Sequence, residues 1–153
     1  QFIDLTDYNT KMMTKLVCKN YIIEPKPTNA KVSCAIYVGD EKDNTKIQVN
    51  CYDIDKKGIY YFKDPKGSIE QNESVGAAMK RELQEELGLT FDDNRYKIVS
   101  QDNKITRFKI AMTQDEYDEY VKKFDSSKID VEITHIALVK CDKIHMTPLA
   151  NIN

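Results

Sequence analysis

The chain of 153 residues has no tryptophan, two histidines, five glycines and four prolines. It also has no apolar run of the ~18 residues or more that a membrane-spanning helix needs, so none is expected. Cys18, Cys34, Cys51 and Cys141 stand apart, with no Cys-x-x-Cys pair and no histidine at zinc-binding spacing. Reduced, buried thiols are the reading, with neither a zinc site nor an oxidising compartment. Arginine is scarce, confined to Arg81, Arg95 and Arg107, and the formal charge is −2. That balance argues against a strongly basic nucleic-acid surface. No repeat or low-complexity tract is present, and the opening QFIDLTDYNTKMM lacks the apolar centre of a secretory leader. The abundance of Asn, Ile, Tyr and Lys fits an AT-rich coding genome such as that of a phage, a virus or a protist. The expected compartment is the cytoplasm, the host's if the source is viral.

With 41% hydrophobic residues, this length supports one core and leaves no room for a second comparable domain. Pro25 and Pro27 break the chain, so residues 1–29 read as an N-terminal extension and 30–153 as the domain. Within the extension, a helix over Thr6–Asn20 and a strand at Leu16–Cys18 both stay open. Lys31–Val38 and Thr45–Ile54 are rich in β-branched and aromatic residues and predict a hairpin around the GDEKDN turn. Further strands are predicted at Gly58–Phe62, Arg95–Ser100, Lys104–Met112 and Asp130–Val139. Thr113-Gln-Asp-Glu116 is a capping box, and Tyr117, Tyr120, Val121 and Phe124 form the apolar face of the helix it opens. Asp53-Ile-Asp55-Lys-Lys57-Gly58 has the opening of a calcium loop, but Lys57 replaces a ligand and Asp64 the closing Glu; it reads as a hairpin turn.

The segment from Gly67 to Leu89, GSIEQNESVGAAMKRELQEELGL, carries the chemistry. Val75, Ala78, Met79 and Leu83 recur at i, i+3, i+4 and i+8, and Gly88 sits where a helix commonly ends in a left-handed residue. The spacing predicts a helix over Ser74–Leu87. At roughly 100° per residue, Glu82, Glu85 and Glu86 fall within an arc of about 100°. At about 5 Å and an effective dielectric near 20, each like-charged pair repels by roughly 3 kcal/mol. Glu82 and Glu86 lie beside the apolar stripe, so they are expected at the edge of the core or in a cleft. A divalent cation is the obvious compensation.

The same residues resemble the signature of the Nudix hydrolase family: Gly, five residues, Glu, seven residues, then Arg-Glu-aliphatic-x-Glu-Glu-x-Gly-aliphatic. Gly67, Glu73, Arg81, Glu82, Leu83, Glu85, Glu86, Gly88 and Leu89 match at every fixed position. With seven invariant types each at about 5 to 7% usage, a chance match at one start is on the order of one in 10⁸. The resemblance implies an α/β fold, a Nudix-type α/β/α sandwich with a mixed central sheet, over residues 30–153. It implies an enzyme that uses Mg²⁺ or Mn²⁺ to hydrolyse a nucleoside diphosphate linked to another moiety. The implied metal ligands are Glu82, Glu85 and Glu86 with the backbone carbonyl of Lys66 or Gly67, and Arg81 is implied to pair with Glu73 as support for the loop.

The resemblance extends downstream. Nudix domains often carry a Glu six residues before a Trp and then an Asp-x-aliphatic turn; Glu132 and Asp142-Lys143-Ile144 match, while Leu138 takes the Trp position. Glu132 is thus a candidate further ligand or general base, beside Glu85 and Glu86 as catalytic residues, whereas His135 and His145 read as ordinary surface or strand residues. Pro65-Lys66-Gly67 resembles the tripeptide of diadenosine polyphosphate hydrolases and decapping enzymes, which makes Lys66 a candidate phosphate contact. Tyr61, with Tyr52, Tyr60 or Phe108, is a candidate for base stacking. The leading expectation is a pyrophosphohydrolase of dinucleoside polyphosphates or ADP-ribose-like compounds. The alternatives are processing of an RNA 5′ end, by decapping or pyrophosphate removal, and a non-catalytic nucleotide-binding module. No membrane partner is expected, and the oligomeric state is not legible.

Overall fold

The computed structural model describes residues 2–4, 30–52, 59–130, 133, 135–140 and 146–148. In chain order the strands are β1 (Phe2–Asp4), β2 (Lys31–Val38), β3 (Thr45–Tyr52), β4 (Ile59–Lys63), β5 (Lys66–Ser68), β6 (Lys97–Gln101), β7 (Ile105–Met112), β8 (Ile136–Lys140) and β9 (Met146–Pro148). The helices are α1 (Val75–Leu87) and α2 (Gln114–Lys123). One sheet runs β1-β8-β3-β2-β7-β6, with β5 added to β2 and β4 to β3, and β9 added to β4. β1/β8 and β2/β7 are parallel and the other pairs antiparallel, so the sheet is mixed. The α/β class with a mixed central sheet is the fold this chain adopts.

β2 is the axis. β7 accompanies it from Lys31 to Val38 on one side. On the other side two strands share it: β3 pairs at Ile36 and Tyr37, and β5 at Lys31, Val32 and Ser33. The sheet therefore forks there, and the link Asp64-Pro65 between β4 and β5 spans the fork. Asp64 is fastened to β3 by Lys46 at 2.9 Å and by Gln48 Nε2 at 3.0 Å, and the Pro65 carbonyl accepts from Cys34 N at 3.1 Å.

Helix α1 starts where Ser74, in extended conformation, accepts from Ala77 N at 3.1 Å. It stops at Gly88, whose φ of 69° is left-handed, with Leu89 N returning to the Leu83 carbonyl. Ala78, Met79, Leu83 and Leu87 are fully buried, and the helix packs on β2 and β5. Its stripe is the one read from the sequence, with Val75 only half-buried. α2 is opened by the Thr113–Glu116 capping box, and Tyr120 Oη donates to the Leu87 carbonyl at 2.6 Å. Arg95 forks onto Glu116 at 2.7 and 2.9 Å and locks the start of α2 against the segment before β6.

Several expectations shift. β5 was not expected, because three residues around a glycine carry no strand periodicity. Among the described residues the strand predicted from Asp130 is found only over Ile136–Lys140; Asp130 N is bonded to the Glu85 carbonyl and Ile133 N to the Asp130 carbonyl. His135, read as an ordinary surface or strand residue, is fully buried immediately before β8. Phe108 is core, edge-on to Tyr96 at 6.3 Å, and is not available for stacking. Cys34 is a buried free thiol, as expected, and burial raises its pKa. The first residues add a strand to the sheet through β1. Leu16–Cys18, the calcium-loop-like Asp53–Lys57, Glu132, Asp142–Ile144 and His145 lie outside the described residues. Among the described residues no helix is long and apolar enough to cross a membrane.

Leu83 is enclosed on all sides, so Leu83→Ala is expected to lower unfolding free energy by about 2 to 5 kcal/mol in urea denaturation. Thr113→Ala, which removes one cap, is expected to cost about 1 kcal/mol. Equal losses for the two variants would contradict the core assignment of α1.

Candidate functional site

The site begins with a ladder register. Cys34 N bonds to the Pro65 carbonyl and Ile69 N to the Ala30 carbonyl, which puts Lys66 and Ser68 at positions whose own backbone groups point away from β2. Both are met by α1. The Lys66 N–H donates to Glu86 Oε2 at 3.1 Å, and the Ser68 carbonyl accepts from Arg81 Nη2 at 2.8 Å. The Lys66 carbonyl lies on the same outward side as its N–H.

Gly67, between them, is where Glu82 rests. A Cβ on Gly67 would stand 1.8 Å from the Glu82 carboxyl carbon and 2.1 and 2.3 Å from its oxygens. Only glycine leaves room for that carboxylate. Glu82 and Glu86, one turn apart on α1, are each 8% exposed, whereas Glu85 is on the open side.

Arg81 holds the loop and the acids together. Its Nε and Nη2 grip both oxygens of Glu73 at 2.8 and 3.0 Å, and Nη1 reaches Glu82 Oε1 at 2.9 Å and Glu85 Oε2 at 3.2 Å. This bidentate geometry is one that lysine does not provide. Hydrogen bonding to Arg81 holds the Glu73 carboxyl below its usual range, and Glu73 in turn raises the Arg81 pKa.

The buried acids behave oppositely. Burial first, then the charge of Glu82, pushes Glu86 up to about 8, against the pull of Lys63 and of the Lys66 N–H; Asp130 adds to the rise. Burial likewise raises Glu82, opposed by Arg81. Two groups that the sequence did not single out therefore reach this site. Asp130 belongs to the turn anchored on the Glu85 carbonyl at 2.7 Å, and Lys63 ends β4. Neither bears a local signal: one sits in a stretch that reads as a strand, the other four residues before Gly67 in a lysine-rich chain.

Glu82, Glu86, Gly67 and the Lys66 backbone are thus brought together, and Arg81 joins Glu73 and Glu85 to them. Glu132 and the side chain of Tyr61 lie outside what is described. Among the described residues no three carboxylate, imidazole or thiol groups converge tightly enough to hold an ion, and Arg81 Nη1 sits between Glu82 and Glu85. The donor chemistry nonetheless fits a hard dication: two buried carboxylates whose charge is costly, and a backbone carbonyl at an outward ladder position.

Gly67→Ala is expected to displace Glu82 and to cost about 1 to 3 kcal/mol of stability, read by denaturant titration. The Glu86 carboxyl titrates near 4.5 when unperturbed and near 8 here, so the native state binds this proton more tightly than the unfolded chain. Its stabilising contribution is complete below about 4.5 and is lost as the pH climbs to about 8. In chelator, the melting temperature should fall across that window, and Glu86→Gln should flatten the fall; parallel profiles would contradict the burial assigned to Glu86.

The NUDIX domain family model matches residues 32–148. No curated protein sequence matches the chain significantly. Similar solved structures include a MutT/nudix family protein from Enterococcus faecalis (11% identity, TM-score 0.42, 61% of this chain and 39% of that one). The chain thus spans well under half the length of that relative. A NUDIX hydrolase from Nitrosomonas europaea has 20% identity and a TM-score of 0.49, with 76% of this chain and 74% of that one covered. A C. elegans Ap4A hydrolase, solved as a binary complex, has 12% identity and a TM-score of 0.48, with 73% and 80% covered. With the domain match spanning well over half of its length and the signature complete from Gly67 to Leu89, the chain belongs to the Nudix family.

Proposed function

We propose that the protein is a Mg²⁺- or Mn²⁺-dependent pyrophosphohydrolase that cleaves the phosphoanhydride linkage of a nucleoside diphosphate joined to another moiety, in the class of dinucleoside polyphosphates or ADP-ribose. The observation that carries this reading is the pair of buried carboxylates, Glu82 and Glu86, seated on Gly67 and the Lys66 backbone. Burying two carboxyls at 8% exposure on adjacent turns is costly, and Arg81 bonds to only one of them, Glu82, which supports a dication shared by both. The family as a whole hydrolyses phosphoanhydride bonds.

In this reading Glu82, Glu85, Glu86 and the Lys66 carbonyl hold the metal. The bound dication supplies charge neutralisation at the diphosphate and a lowered pKa for coordinated water. Arg81 keeps Glu82 aligned by Nη1 while its other nitrogens hold Glu73 and the Ser68 carbonyl, so the loop cannot drift from the helix. Glu86 is oriented by the Lys66 N–H. Glu132 and Asp130 are the candidates for taking a proton from the attacking water; Asp130 is carried by a turn pinned to α1 through the Glu85 carbonyl. Lys66 and Tyr61 are the candidate contacts to phosphate and base.

The test is a panel of dinucleoside polyphosphates, ADP-ribose, nucleoside triphosphates and capped or triphosphorylated RNA with Mg²⁺ or Mn²⁺, read by product chromatography. A small nucleotide derivative is expected to give the highest kcat/KM. Glu85→Gln, at an exposed position, is expected to keep the fold and cut turnover by about a hundredfold or more. RNA as the preferred substrate would overturn the substrate class, and full turnover by the variant would remove Glu85 from the site.

A further inference from the structure

The link that spans the sheet fork holds two neighbouring charges in opposite ways. Asp64 is tied to β3 by Lys46 and Gln48. Lys63, one residue earlier, pairs across the ladder with Val49, which is fully buried. Directly paired residues carry their side chains on the same face, so Lys63 emerges on the core face of the sheet, where Glu86 lies. It is half-buried, and among the described residues no ion pair or side-chain hydrogen bond ties it down.

The half-buried Lys140 and several exposed lysines likewise have no ion pair among the described residues. Lys46, Lys80, Lys109 and Lys123 each have a carboxylate partner. Lys63 instead has an ammonium within electrostatic reach of Glu86 but not in contact with it, on the same turn that sends the Lys66 N–H to that carboxylate. A cation kept beside the buried acids, rather than neutralising them, is placed for an anion that arrives with the substrate. The linking diphosphate of ADP-ribose carries about two negative charges, which one dication balances, whereas a tetraphosphate chain carries about four and leaves an excess for a protein cation. A flexible point charge at the rim suits its non-bridging oxygens.

We infer that Lys63 is a phosphate-binding, specificity-determining residue that takes the phosphate chain of the substrate beside the Glu82–Glu86 pair and favours the more highly charged chains. The inference rests on the hydrolase reading above. It assigns Lys63 to uniform substrate binding rather than to bond cleavage, so its loss should appear in KM and leave kcat nearly unchanged.

The experiment uses the full chain with Mg²⁺ and methylenediphosphonate, a non-hydrolysable diphosphate, in titration calorimetry. Lys63→Gln is expected to weaken binding by about tenfold or more, while Lys63→Arg, which retains the charge, stays within about threefold of the parent. Lys63→Met, which keeps the aliphatic stem, should match Lys63→Gln and covers the case in which the amide variant misfolds. In turnover, the rise in KM should be larger for a dinucleoside tetraphosphate than for ADP-ribose. Parent-like binding by both neutral variants would overturn the role of Lys63 and leave the hydrolase reading intact. If the parent protein neither binds methylenediphosphonate nor hydrolyses any substrate in the panel, the hydrolase reading itself fails.

Discussion

The structure turns on one costly arrangement, the burial of the Glu82 and Glu86 carboxylates between α1 and β5. The groups around them hold those carboxyls in place. Gly67 gives up a side chain so that Glu82 can sit on its α-carbon. The short β5 exists in a register that aims the Lys66 N–H at Glu86 and the Ser68 carbonyl at Arg81. Arg81 then spends its whole guanidinium on Glu73, Ser68, Glu82 and Glu85. A stable fold needs none of this; leucines at both positions would satisfy the core more cheaply.

The sheet fork supplies the platform. Because β3 and β5 diverge from the same side of β2, the link between β4 and β5 is drawn across the gap, with Asp64 stitched to β3 and Lys66 opening β5 and bonded to Glu86 of α1. This places Lys63 and the Lys66 backbone beside the acids from a single short link. On the far flank, the Asp130 turn is anchored on the Glu85 carbonyl. The acids on α1 thereby stand between two connecting segments held on a rigid scaffold.

Much of this was legible in the sequence, and the reason is periodicity. The stripe of Ala78, Met79 and Leu83, the Ser74 start and the Gly88 stop fix α1 to within a residue, and once it is a helix the acids must share a face. The Thr113–Glu116 box fixes α2 in the same way. What escaped lacks local pattern. β5 is three residues around a glycine, and its strand character comes only from pairing with β2. Asp130 reads as the start of a strand, whereas its N–H is bonded to the Glu85 carbonyl of α1, a long-range contact with no local signal. Lys63 and Asp130 owe their importance to long-range placement, and His135 is internal between the buried Ile133 and Ile136.

The central claim is that Glu82 and Glu86 share a divalent cation with the Lys66 carbonyl. Its most direct test is the anomalous difference map of a crystal grown with manganese. A single strong peak within about 2.0 to 2.3 Å of a Glu86 oxygen and close to Glu82, with Glu85 released from Arg81, is the predicted result. A map without a peak there, in which Arg81 still bridges Glu82 and Glu85, would contradict it.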